Sequence, residues 1–211
     1  MEYSYIIIEG NIGAGKTSLV KMISQQYNAR MILERFADNP FLPKFYDDPE
    51  RYSFPLELSF LTDRYHQLKK KLGDQDLFSN FTISDYYFMK SLIFAKSTLP
   101  DDEFRLYRQI FYIIYQSLPK PGLYVYLHLD ADILLSNIKN RGRDYEQSIT
   151  AGYLRKIQQG YFDFFKQETV LRILVIDTGN IDFVNNKDDY ENLISTIFDK
   201  QYQKGINRIV L

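Results

Sequence analysis

The chain has 211 residues, 45% of them hydrophobic and 25% charged, which is enough for one globular domain with a substantial core. With 26 Lys+Arg against 27 Asp+Glu the net charge is -1, so bulk basicity is excluded as a means of holding nucleic acid or an acidic membrane. The absence of cysteine excludes disulfide scaffolds, thiolate zinc sites and cysteine nucleophiles together.

The two histidines, His66 and His128, lie too far apart to form a local metal motif. The first residues carry no basic segment, and the apolar run Ile6-Ile7-Ile8 stops at Glu9-Gly10, too short for a signal core or a membrane span. The expectation is a soluble, cytoplasmic protein with neither nucleic acid nor membrane as partner.

In chain order, the first predicted strand covers 5–8 and runs into Gly10-Asn11-Ile12-Gly13-Ala14-Gly15-Lys16-Thr17. This segment has the spacing G-x-x-x-x-G-K-[ST]. A helix follows, with Leu19, Met22, Ile23 and Tyr27 on one face. Glycines let backbone N–H groups converge on phosphate oxygens, and a helix N-terminus adds positive charge. Lys16 is placed to reach the β- and γ-phosphates, and the Thr17 hydroxyl to ligate Mg²⁺. A glycine-rich turn without a ligand is the ordinary alternative, but the preceding strand and following helix favour a nucleoside triphosphate such as ATP.

The second predicted strand, 30–33, ends at Glu34. A long helix over about 51–72 follows, with Phe54, Leu58, Leu61, Tyr65, Leu68 and Leu72 forming one stripe. Strand 81–84 ends at Asp85, and a helical pattern over about 86–118 carries Tyr107, Ile110, Phe111, Ile114 and Leu118. Strand 123–129 runs into Asp130, and the next helix, with Ile133, Leu134 and Ile138, leads to Arg141-Gly142-Arg143. A helix with Leu154, Ile157, Tyr161 and Phe165 precedes the last predicted strand, 172–176, which ends at Asp177.

Strands alternating with helices predict an α/β three-layer fold: a parallel five-stranded sheet with helices on both faces, in one domain over 1–211. Turns at 100–102 and 119–122 fall inside it. The helices over 51–72 and 86–118 are longer than sheet coverage needs. Their surplus apolar faces suggest a homodimer, the alternative being a thick single-subunit core.

In a parallel sheet the ligand crevice opens at the carboxyl ends of the strands. Glu34 is therefore placed beside the phosphate loop to accept a proton from an acceptor hydroxyl. Asp85, at the end of another strand, can hold Mg²⁺ or cap the next helix. Arg141 and Arg143, flanking a glycine, suit a short cationic lid over a phosphoryl group in transfer, although an isolated R-G-R is more often a solvated turn. No N-K-x-D guanine-reading motif follows a strand, since Asn186-Lys187-Asp188-Asp189 has similar letters without a buried strand close before it. A kinase is favoured over a switch GTPase.

Together these residues resemble the deoxynucleoside kinase family. The resemblance runs from Gly10 to about Tyr190 and rests on separated blocks. These are the phosphate loop; Glu34 with Ala37-Asp38-Asn39-Pro40-Phe41-Leu42; the segment 45–54; Ile93-Phe94-Ala95; Arg141-Gly142-Arg143-Asp144-Tyr145-Glu146; and Ile176-Asp177. The segment 37–42 is most similar to bacterial members acting on purine deoxynucleosides.

The resemblance implies a P-loop kinase fold and ATP-dependent 5′-phosphorylation of a deoxynucleoside in nucleotide salvage, with Mg²⁺. By the same resemblance, Glu34 matches the general base for the 5′-hydroxyl. Tyr46 and Glu146 match the pair that holds the sugar 3′-hydroxyl, and Phe94 an aromatic packed on the base. Glu57 falls where many animal members carry a base-reading glutamine. Arg141 and Arg143 match the lid arginines, and 177–186 a loop beside the donor adenine.

Two departures stand out. Many members carry Asp/Glu-Arg-Ser after the third strand, and here Ser84-Asp85-Tyr86-Tyr87 lacks the arginine. Arg64, in the long helix, is a candidate to supply that charge. The second departure is Glu57 itself, because an ionised carboxylate only accepts hydrogen bonds. It suits guanine's N1–H and amino group, or the amino group of adenine or cytosine, and thymine poorly. The expected acceptor is a purine deoxynucleoside, deoxyadenosine or deoxyguanosine. Deoxycytidine or broad specificity, a nucleoside monophosphate kinase and a non-enzymatic nucleotide-binding subunit stand as alternatives.

Overall fold

Unbroken apolar runs suit strands covered on both faces. In the computed structural model, which describes residues 3–35, 39–73 and 78–211, three such runs form β1 (Tyr5–Gly10), β4 (Leu123–His128) and β5 (Arg172–Asp177). Two shorter strands, β2 (Arg30–Ile32) and β3 (Thr82–Ser84), complete one flank. A further strand, β6 (Gly205–Val210), lies on the other, so the sheet has six strands where five were expected. The missed strand alternates half-buried with exposed positions along Gly205-Ile206-Asn207-Arg208-Ile209-Val210. At a sheet edge only one face is covered, and no continuous apolar run marks it in the sequence.

The order is β2-β3-β1-β4-β5-β6, with every pairing parallel. The chain builds outward from β1 to one side through β3 and β2, and to the other through β4, β5 and β6. The carboxyl end of β1 is thus the topological switch point, where open α/β sheets place their ligands.

Side chains alternate across each strand, and two cores result. Ile6, Ile8, Val125, Leu127, Leu174 and Ile176 face one side, packed against α1 (Lys16–Tyr27), α6 (Ala131–Arg141) and α8 (Lys187–Phe198). Ile7, Tyr124, Tyr126, Ile173 and Val175 face the other. There they meet α3 (Pro49–Gly73), α4 (Lys90–Thr98), α5 (Asp101–Tyr115) and α7 (Ala151–Gln167). A short helix, α2 (Leu42–Asp47), packs with α3 in a third cluster through Phe45, Leu56 and Phe60. No helix among the described residues is long and apolar enough to cross a membrane.

The helical pattern expected over 86–118 is interrupted. Leu99 is extended (φ -92°, ψ 146°), as the residue before Pro100 tends to be, and the chain turns there between α4 and α5. Tyr86, Tyr87, Phe88 and Met89 before α4 are buried connecting residues, not helix. Their apolar character reflects burial under α5, where Phe88 stacks on Phe111 at 5.0 Å. The block Ala37-Asp38 lies outside the described residues.

Phe111 is fully buried between these layers. Phe111→Ala is expected to lower the unfolding free energy by about 3–5 kcal/mol in a urea titration. A loss below about 1 kcal/mol would show that the aromatic stack contributes little to stability.

Candidate active site

The phosphate loop joins β1 to α1 in a conformation that its glycines permit. Gly13 and Gly15 have φ of 87° and 81°, in the left-handed region. A Cβ on Gly13 would stand 2.7 Å from the Leu134 carbonyl oxygen, and one on Gly15 would stand 2.8 Å from the Phe183 ring. The loop is braced from outside: Asn137 Nδ2 donates to the Gly13 carbonyl at 2.9 Å, and Asn11 Nδ2 to the Leu154 carbonyl at 2.7 Å. Lys16 Nζ donates to the Asn11 carbonyl at 2.8 Å. Burial and the nearby positive charge of Lys90 pull the Lys16 ammonium down to about 8.

At the carboxyl ends of β2 and β3, Glu34 and Asp85 meet this loop. Thr17 Oγ1 donates to Asp85 Oδ2 at 2.5 Å, and the Glu34 backbone N–H donates to Asp85 Oδ1 at 2.7 Å. One carboxylate thereby joins the loop to the second strand's end. Glu34 itself lies between two cations. Arg64 Nε and Nη2 donate to Oε1 at 2.9 and 2.6 Å, and Lys90 Nζ donates to Oε2 at 2.5 Å. Burial alone would push the Glu34 carboxyl up, but Lys90 and Arg64 outweigh it and hold it at about 2. Arg64 is further fixed by Nη1 donating to Ser91 Oγ at 2.8 Å and by the Phe60 ring, 4.9 Å from its guanidinium carbon.

The loop, Glu34 and Asp85 line one end of a cleft. Its other walls bring together Tyr46, Glu57, Arg64, Phe94, Arg141, Arg143 and Glu146, all singled out in the sequence. Glu146 accepts from Arg141 Nε and Nη2 at 3.1 and 2.5 Å, and from Arg143 Nη1 at 3.1 Å. Tyr46 stacks on Tyr145 with centroids 6.1 Å apart, and burial and the Glu146 charge raise its hydroxyl. Glu57 is buried, with Oε1 accepting from Thr98 Oγ1 at 2.9 Å and Oε2 without a partner among the described residues. Burial pushes its carboxyl up to about 7, against the opposing pull of Arg64, the Thr98 hydrogen bond and Lys90.

Gly13 and Arg141 also line a second cleft on the far side of the loop, with Thr178, Gly179, Asp182 and Phe183 from the segment 177–186. Two clefts thus meet at the loop and at Arg141. Two cations stand at Glu34: Arg64, which the sequence offered as a candidate, and Lys90, which the sequence reading overlooked. A lone lysine opening the otherwise apolar Ser91-Leu92-Ile93-Phe94 stretch was the available signal. Asn137 and Tyr153 were missed as well, and nothing in the sequence around them distinguishes them from ordinary helix residues; Tyr145 lay within the block 141–146 without being given a role.

A phosphate loop at the switch point of a parallel sheet, with an ionised carboxylate in the same cleft, is the arrangement of a nucleotide-dependent phosphotransferase. The deoxynucleoside kinase family model matches residues 6–202. A deoxyguanosine kinase of Bacillus subtilis is 38% identical over 197 residues, covering 92% of this chain and 95% of that protein. A deoxyadenosine kinase of Lactobacillus acidophilus is 28% identical over 211 residues, covering 95% and 97%. In fold, the structure of deoxyadenosine kinase from M. mycoides with bound dATP matches with a TM-score of 0.78 at 24% identity, covering 92% and 98% of the two chains. The chain belongs to the deoxynucleoside kinase family, and is a phosphotransferase whose acceptors are deoxynucleosides.

Glu57 gives a stability prediction. Its folded-state carboxyl, at about 7, lies above the ordinary 4.5, so the folded state binds the extra proton between these values. Stability associated with Glu57 is therefore lost as pH rises through 7. Glu57→Gln keeps the shape without the charge and is expected to raise Tm more at pH 8 than at pH 5. Equal shifts at both values would show that Glu57 does not titrate in this range.

Proposed function

We propose that the protein transfers the γ-phosphoryl group of ATP to the 5′-hydroxyl of a purine deoxynucleoside, deoxyguanosine or deoxyadenosine. The observation that carries this reading is the doubly ion-paired Glu34 carboxylate, within one cleft with Lys16, Thr17, Glu57 and Phe94. The donor phosphates lie on the loop, cradled by its N–H groups and Lys16, with the adenine in the second cleft against 177–186. The acceptor base packs on Phe94 and meets Glu57, and its sugar lies between Tyr46 and Glu146.

Glu34 acts at the 5′-oxygen. A carboxylate held near 2 is a weak base, and an efficient proton acceptor in the ground state has a higher pKa. Phosphoryl transfer through a loose transition state asks little of the nucleophile's charge until late. Glu34 therefore orients the hydroxyl and takes its proton as the new P–O bond completes and the bond to ADP breaks. Arg141 and Arg143 close over the phosphoryl oxygens and offset their charge.

The paired Thr17 hydroxyl and Asp85 carboxylate are hard oxygen donors of the kind Mg²⁺ takes, alongside waters and substrate phosphates, and these residues would hold it. Bound there, the ion would neutralise charge on the donor phosphates. Glu57 supports the purine assignment. As a carboxylate it accepts from guanine's N1–H and amino group, and when protonated it can donate to adenine N1 while accepting from N6–H. A monophosphate acceptor would bring its own negative charge toward Glu34. We further propose a homodimer, supported by exposed Leu106, Tyr112 and Ile113 on α5, acting in the cytoplasm where ATP is held.

The test is ADP release from ATP and Mg²⁺ with each deoxynucleoside and each monophosphate offered separately. Turnover is expected with deoxyguanosine or deoxyadenosine. Turnover confined to thymidine or to a monophosphate would overturn the acceptor assignment. Glu34→Gln is expected to keep nucleoside binding, measured by calorimetry, while kcat falls about a hundredfold or more. Unchanged kcat would remove Glu34 from the chemistry.

A further inference from the structure

Lys90 has no part in the mechanism above beyond its pairing with Glu34, yet its placement is unusual. It is the first residue of α4 and only 7% exposed, and burying an ammonium is costly unless a partner compensates. Glu34 Oε2, at 2.5 Å, is its one hydrogen-bond partner among the described residues. An ammonium carries three N–H donors, so two are left over on a side chain that lines the acceptor cleft. The same Nζ lies 5.3 Å from the centroid of the Phe94 ring, one turn further along α4.

Arg64 is placed differently. Its guanidinium is fixed from two directions, by Glu34 and by Ser91, and lies against Phe60. It anchors Oε1 to α3, whereas Lys90 holds Oε2 to α4 and to the wall that carries Phe94.

We propose that Lys90 is a positioning residue for phosphoryl transfer, which aims Glu34 Oε2 at the acceptor hydroxyl from the wall that carries Phe94. The inference rests on the reading of Glu34 as the group that receives the 5′-hydroxyl proton. During transfer the acceptor O–H bond breaks and its proton passes to Glu34, while the oxygen forms its bond to phosphorus and ADP departs. The ion pair then loses its anion. Lys90 is left as an uncompensated cation beside the phosphoryl group, where its charge adds to that of Lys16. The two lysines already feel one another in the resting protein, since Lys90 helps to depress Lys16.

The experiment compares wild type with Lys90→Met and Lys90→Arg, using two readouts. The first is calorimetric binding of deoxyguanosine and deoxyadenosine to the protein. The second is the separate determination of kcat and KM for the accepted deoxynucleoside. In Lys90→Met kcat is expected to fall about a hundredfold with binding and KM changed far less, and Lys90→Arg should restore most of kcat.

An unchanged kcat in Lys90→Met would overturn the proposal. So would a joint loss of binding and kcat that arginine does not rescue, which is the behaviour of a merely structural lysine. Lys90→Gln makes the same comparison if Lys90→Met does not fold. Absence of wild-type turnover with any deoxynucleoside overturns the proposed function, whereas wild-type turnover with kcat unchanged in Lys90→Met overturns the role of Lys90 alone.

Discussion

The site is organised around a single carboxylate, Glu34, held between Lys90 and Arg64 and tied through its backbone to Asp85 and Thr17. Each of these residues comes from a different element: the end of β2, the start of α4, the middle of α3, the end of β3 and the start of α1. Charges of this kind are expensive to bury. Lys16, Arg64 and Lys90 stand among Glu9, Glu34, Glu57 and Asp85, and their influence extends through the cluster, since Lys90 acts on Glu9, Lys16, Glu34 and Glu57 together. Burial raises Glu9 and Glu57, which shifts both toward neutrality and eases the excess of anions. Buried ion pairs seldom add stability relative to apolar residues of similar size. A cluster this dense is better understood as the requirement of a reaction that moves negative charge.

The fold supplies the rigidity that such a cluster needs. Glu9, the last acid before the loop, is fully buried and accepts from the backbone N–H of Tyr87 at 2.8 Å and from Tyr161 OH at 2.9 Å. It connects β1 to the segment before α4 and to α7, so the strand that carries the loop and the helix that carries Lys90 share an anchor. The aromatic core continues the bracing, with Tyr126 packed on Tyr161 at 5.0 Å and on Phe165 at 5.2 Å. Rings are large enough to span the space between sheet and helices with few side chains, and they restrict relative movement of the layers.

Much of this was legible in the sequence because it obeys short-range rules. The loop has a fixed spacing, three strands are unbroken apolar runs, and Glu34 and Asp85 lie just past the ends of the two shorter strands. What escaped depends on neighbours distant in the chain. Strand β6 exists because β5 offers it an edge, and its alternating pattern is too short to stand out. The break at Leu99 was signalled by Pro100, but the run of aromatic residues before α4 suggested a longer helix. On α3 the expected apolar stripe faces the core, while an adjacent face of Leu56, Glu57, Phe60 and Arg64 lies buried toward the site. Polar residues on that face weaken its periodicity, although they are the ones that line the cleft. Lys90 reaches Glu34 across space, and its lone charge ahead of Leu92-Ile93-Phe94 was the one local hint of it.

The lid shows how the two ligands are linked in the same electrostatic terms. Arg141 closes α6, Gly142 turns the chain with φ of 71°, and Arg143 follows. Both arginines pair with Glu146, and Arg141 lines both clefts. In the proposed mechanism Glu146 holds the acceptor sugar while the arginines hold the donor's phosphoryl group. One carboxylate therefore serves two ends of the reaction. A hydroxyl bound at Glu146 adds to its hydrogen bonds without removing its charge, so the arginines can remain paired while their outer N–H groups turn to phosphate. Occupation of the acceptor cleft would then fix the guanidinium groups before the donor's charge begins to move, which is the order in which a preorganised site gains most.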